Sequence, residues 1–218
     1  RRGDTKDLLN EVISWVDEIY KAACSLFDMV FRFNLETTSR LTINTRDPYM
    51  PLEIGLAWHP YFNLPYIPAS ALKGAARSYF ELRKINICRL DPNVLFGSKD
   101  REGVLIFFDA LPISFGQALI EPDVINPHYP EVERRIDEIS VRPRPLVYPT
   151  IAKGVRFSMV LAVNLKDRSL MRRINFREFM DEVCKHVKAA LGYGLGARVS
   201  LGYGFLKINL VGVGGRRI

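Results

Sequence analysis

Cysteine is scarce in this chain: Cys24, Cys88 and Cys184 are the only three in 218 residues, odd in number and far apart. They form no CxxC pair and no zinc-ligand spacing. That excludes a disulfide-stapled fold and a zinc module, and leaves isolated reduced thiols as the expectation. No metal or other cofactor is expected. Histidine is equally rare, with His59, His128 and His186 standing far from one another in sequence. No apolar run approaches the roughly 20 residues that span a bilayer. The opening stretch RRGDTKDLLN is polar and has no apolar middle section of the secretory kind, so no membrane contact and a cytoplasmic location are expected. Because the chain opens on Arg rather than Met, a short piece is expected to have preceded it. No GxxxxGK[ST] motif is present, so a P-loop for nucleoside triphosphates is unsupported. A GxG at 192–194, repeated at 194–196, follows a helical segment and precedes a strand. Dinucleotide binding needs the reverse order, and that reading is rejected.

Positive charge is what the chain has in surplus. Thirty-one Lys and Arg against 24 Asp and Glu give a net charge of +7 and an isoelectric point near 9.4. Such a balance favours a polyanionic partner, nucleic acid first among them. With 48% hydrophobic and 25% charged residues, the composition is that of a globular chain able to bury a core.

Periodicity orders the elements. Residues 5–29 read as an amphipathic helix with Leu8, Val12, Trp15, Ile19, Ala23 and Leu26 along one stripe. VFRFNLETTSRLTIN, at 30–44, alternates as a strand. Prolines 48, 51, 60, 65 and 68 make the following loop irregular. Ser70 is placed to N-cap a helix over 71–84. GVLIFFDALPI, at 103–113, is a second strand, and 114–154 reads as irregular, with RPRPLVYP extended or forming an arm. A third strand covers 155–165. A second long helix covers 169–191, with Leu170, Ile174, Phe179, Val183 and Val187 as its buried stripe. A last strand covers 204–213. Behind the first helix, then, the order is strand, helix, strand, strand, helix, strand. The expectation is one α+β domain over 1–218: a helical extension at 1–30 and a ferredoxin-like βαββαβ core at 31–213, elaborated at about 44–69 and 114–154.

Two stretches carry the chemistry of anion binding. In PYIPASALKGAAR, at 65–77, Lys73 and Arg77 stand four residues apart near a helix N-terminus, where free amides and the helix dipole already favour anions. Gly74 inside that helix costs about 1 kcal/mol relative to Ala. A closely approaching partner backbone would account for it, as would a packing role on a solvated helix face. GYGLGARVSLGYG, at 192–204, holds five glycines in thirteen positions. It reads either as a flexible turn whose bare amides, with Arg198 and Ser200, cradle phosphates or dock a subunit, or as a connection whose glycines only relieve strain. His59 and Asp47 share the loop before the capped helix. His186 is most simply a helix residue and His128 a turn residue. One acid and one histidine do not define a reaction.

TTSRLTIN, LPYIPASALKGAAR, LFGS and GLGARVSLGYGF together resemble the RAMP superfamily, the RNA-binding subunits of CRISPR effector complexes. DVINPHYP and PLVYPTIAKGVRFSMVL are most similar to its branch of sixth Cmr subunits, from the type III-B complex. The resemblance covers most of the chain from about residue 31. Ala69 replaces the usual glycine of the helix-start motif, and the N-terminal helix is an addition suited to docking another subunit. The resemblance implies an RRM-like fold that holds CRISPR RNA near the 3′ end of the guide. The implied partners are other Cmr subunits, target RNA is a further one, and no catalysis is implied. By the same resemblance Ser70, Lys73, Arg77, Gly194, Gly196, Arg198 and Ser200 are the RNA-contacting residues. Three alternatives stay open: a backbone subunit cutting target RNA through Asp47, a guide-processing endonuclease using His59 as general acid or base, and a purely architectural subunit.

Overall fold

The computed structural model describes residues 2–46, 52–125, 145–165 and 174–216, with side chains from Asp7 onward. Asp47, His128 and Leu170 lie outside the described residues, as do residues 126–144 of the stretch expected to be irregular. The fold is mixed α+β and its sheets are antiparallel.

Alternation in β1 (Met29–Thr37) sets the two faces of the main sheet. Met29, Phe31, Phe33 and Leu35 point into the larger core, while Val30, Arg32, Asn34 and Glu36 point the other way. β1 is flanked by β8 (Arg156–Val163) and β9 (Leu206–Gly214), with Phe33 opposite both Met159 and Leu210. Beyond β8 lie β4 (Leu105–Phe107) and β5 (Leu111–Ser114). The expected single strand over 103–113 is therefore two. Phe108 still donates its amide to the Val160 carbonyl at 3.0 Å, but Ala110 turns away to bridge Ile67. Asp109, at the break, faces the start of a helix.

That helix is α2 (Ala69–Arg83), and its start corrects an expectation. Pro68, not Ser70, occupies the N-cap position, with φ −60°, and no side chain of the cap residue bonds back to the helix. The capping oxygen comes from far along the chain: the Ala69 amide donates to Asp109 Oδ1 at 2.6 Å. Proline fixes the entry angle and lacks a side-chain acceptor, so a remote carboxylate takes over. α2 buries Leu72, Ala76 and Phe80 and ends at Lys84 in the left-handed region. α3 (Pro92–Phe96) is capped by Asp91, which accepts the Asn93 and Val94 amides. α4 (Phe176–Gly192), capped by Asn175, buries Phe179, Val183, Val187, Ala190 and Leu191. It packs beside α2 on the same side of the sheet.

α1 (Arg2–Leu26) covers the opposite face. Val12 and Val16 pack on Phe62, Leu64 and Leu111, and Ala23 packs on Val30, Val160 and Ala162. The buried stripe is rotated from the expected one: Val16 is inside, while Trp15 is 48% and Leu26 60% exposed. Gly214 lets the helix close in, since a Cβ there would lie 2.6 Å from Cys24 Sγ. Arg32 fastens the middle through an ion pair with Asp17 and a 3.0 Å bond to Ser158 Oγ.

Both stretches expected to be irregular contain strands. β2 (Trp58–His59) and β3 (Leu64–Pro65) form a small hairpin. β6 (Ile120–Ile125) and β7 (Leu146–Ile151) form a two-stranded ribbon in which Pro122 and Pro149 sit opposite each other. A two-stranded ribbon consists of edges, and edges tolerate residues that cannot donate.

Candidate nucleic-acid interface

The first turns of α2 line open space. Two adjoining depressions, of about 850 and about 1040 Å³, share Ser70 and Lys73 on the helix and Asp100, Arg101 and Glu102 on the segment opposite. Lys99, Arg101, Lys73 and Arg77 supply four cations there against the carboxylates of Asp100 and Glu102.

The two helix cations differ in availability. Arg77 donates to Glu81 at 2.7 Å, to the Gly97 carbonyl at 2.9 Å and to Asn93 Oδ1 at 3.2 Å. It ties α2 to α3 and the turn after it, so its guanidinium is already occupied. Lys73 has no hydrogen-bond or ion-pair partner among the described residues. Gly74, beside it, is exposed, and a Cβ built there would meet nothing within 4 Å outside the helix's own backbone. Packing does not require glycine at this position.

The glycine-rich connection behaves in the opposite way. Side chains at Gly194, Gly196 and Gly204 would clash with Val199, the Thr42 carbonyl and the Leu195 carbonyl. All three have positive φ. The Leu195 amide donates to Gly204, Ala197 to Thr42 and Gly204 to Arg40, at 3.0, 2.8 and 2.7 Å. A 3-10 turn over Val199–Leu201 completes the connection. Of the two readings of this stretch, the compact connection describes it better than the flexible turn with bare amides, and these glycines are explained by close packing. Ser200 is exposed; Arg198 is half-buried with φ 63°.

Arg198 belongs to a network that reading the sequence missed. Its Nη1 donates to Tyr148 Oη at 2.8 Å, and its guanidinium carbon lies 5.4 and 6.0 Å from the Tyr148 and Tyr203 ring centroids. Tyr148 and Tyr203 both donate to Asp123 Oδ2, the latter through a short bond. Arg40 reaches Asp123 Oδ1 and Glu121 Oε2 at 3.3 and 3.2 Å. Burial pushes the Asp123 carboxyl up. Hydrogen bonds from Tyr203, the Val124 amide and Tyr148, with the Arg40 charge, outweigh that and hold it below its ordinary value. Burial and the Asp123 bond push the Tyr148 phenol well above its usual range, so it remains a donor. The signal for this network was the cross-strand pairing of Asp123 with Tyr148, visible only once the ribbon is known.

Of the expected acid–base pair only His59 is among the described residues. His59 packs against Phe62 and Tyr66, and its Nδ1 accepts the Phe62 amide at 3.3 Å. Burial lowers its pKa, and the charge of Asp109 pulls partly the other way. His186 lies against Phe80 between α2 and α4. Nor do the two cationic stretches converge. Arg77 leaves α2 toward Asn93 and Gly97, whereas Tyr79, on the other flank, meets Tyr193 where the glycine connection begins.

Comparison with known proteins agrees with the resemblance. The RAMP superfamily model matches residues 34–207. The chain is 30% identical over 205 residues to the CRISPR system CMR subunit Cmr6 of Saccharolobus solfataricus, covering 93% of this chain and 66% of that one. It is 34% identical over 122 residues to Cmr6 of Pyrococcus furiosus, covering 51% of this chain and 33% of the other. The chain thus spans about two thirds and one third of these relatives. A chain in the cryo-EM structure of the type III-B Cmr-beta bound to cognate target RNA superposes with a TM-score of 0.76 at 30% identity, covering 94% of this chain and 67% of that one. Similar to Cmr6 subunits along most of its length, the chain belongs to the RAMP superfamily.

Proposed function

We propose that this chain is a CRISPR RNA-binding subunit of a type III-B effector complex, without catalysis of its own, holding the guide backbone near its 3′ end and docking other RAMP subunits. The observation that carries the RNA contact is the α2 flank: a cation without a partner among the described residues, beside a glycine that their packing does not need, over an open groove. Contacts to phosphate supply affinity without reading bases, as a guide of variable sequence requires. Similarity to Cmr6 supports a place in the complex; the position near the guide's 3′ end is what the resemblance of the sequence implies. The sheet order β4–β8–β1–β9, with α2 and α4 on one side, supports the ferredoxin-like reading of the core.

Ultraviolet crosslinking of the assembled ribonucleoprotein, read by mass spectrometry of its peptides, tests this. RNA adducts are expected on the peptide spanning 69–79. Adducts found elsewhere on this chain and none on that peptide would remove the α2 flank from the RNA path.

A further inference from the structure

We infer that Tyr193, Tyr79 and Arg83 form a stacking platform for an unpaired nucleobase; this deepens, and rests on, the RNA-binding reading. Tyr193 is 66% exposed although it is the residue that ends α4. Its backbone is held by the helix end, the amide donating to the Ala189 and Ala190 carbonyls at 3.1 and 3.3 Å. Its ring centroid lies 5.9 Å from that of Tyr79, tilted by 55°. The Arg83 guanidinium carbon sits 5.8 Å from the Tyr79 centroid and 5.9 Å from the Tyr193 centroid, holding both rings within cation–π range. The exposed ring surface of Tyr193 is area that a stacked flat ligand would bury.

The surroundings favour RNA over an apolar protein partner. Arg83 is exposed and lies over both rings, and Glu81, the nearest carboxylate in sequence to it and to Tyr79, is engaged by Arg77. The one large apolar neighbour on the helix left in water is Leu82. Base stacking on such a platform accepts any base, because every base has a π-face. Cation and ring together match the combination of electrostatics and stacking by which single strands are held. The platform lies on the flank of α2 opposite Arg77, so it would engage bases while Lys73 engages phosphate on the other side of the helix.

The test uses the full chain with two labelled strands of about a dozen nucleotides, an oligouridine and the same ribose-phosphate backbone without bases. Tyr193→Leu is expected to lose about tenfold in affinity for the oligouridine, as stacking of one base implies, and nothing for the abasic strand. Tyr193→Phe, which keeps the ring, is expected to bind both strands as the unaltered chain does. Equal losses on both strands, or no loss on either, would overturn the platform; the second result would point to a protein partner for this surface. An unaltered chain that binds both strands equally, with binding still dependent on Lys73, would sink the platform alone. An unaltered chain that binds neither strand would sink it together with the RNA-binding reading.

Discussion

A side chain at Gly204 would collide with the Leu195 carbonyl, whereas one at Gly74 would meet none of the described residues within 4 Å beyond its own helix. The two glycines answer to different demands, one of the fold and one outside it. Substituting Gly74 by Ala should therefore stabilise the chain by about 1 kcal/mol, the helix-propensity difference with no steric term against it. Urea denaturation of the free chain measures this. A destabilised Gly74→Ala chain would mean that glycine is required by the fold after all. The oddity of Gly74 was legible in the sequence, because a helix-weakening residue stood in a strongly helical pattern. The role of the loop glycines was not, since nothing local announces that the Thr42 and Leu195 carbonyls approach them. The same holds for the cap of α2: Ser70 has capping chemistry but lies one residue inside the helix start, and Asp109, forty residues beyond Ala69, takes the Ala69 amide.

At the scale of elements, the β6–β7 ribbon is the largest departure from expectation. The stretch 114–154 reads as irregular, with RPRPLVYP extended or an arm, yet Pro122 and Pro149 face each other across two paired strands. The ribbon is fastened to the glycine connection and to Arg40 through Asp123, which makes this attachment sensitive to acid. The folded pKa of Asp123 is depressed. The stabilisation it gives is therefore full above the unfolded value, about 3.9, and is lost as pH falls through the lower folded value. Hydrogen exchange, corrected for intrinsic rates, should show protection at 120–125 and 146–151 falling away below about pH 4. Asp123→Asn should show weakened protection already at neutral pH and little further change on acidification. Identical profiles for the two chains would contradict the fastening role. The helices and main strands were legible because their apolar residues repeat at 3.6 and 2. α1 alone was rotated, exposing Trp15, since a helix stripe is set by what it packs on.

For the whole molecule, the sheet is covered on one side by α2 and α4 and partly on the other by α1. Topology places Lys73 and the glycine connection on different sides of α2, a separation that no motif in the sequence states. The central claim is that Lys73 neutralises a phosphate of bound RNA. Filter binding of single-stranded RNA by the Lys73→Ala chain across a series of KCl concentrations tests it most directly. The account predicts a log–log salt dependence shallower by about 0.7 than that of the unaltered chain, the value for one phosphate on a single strand, and the same change for unrelated RNA sequences; an unchanged slope would contradict it.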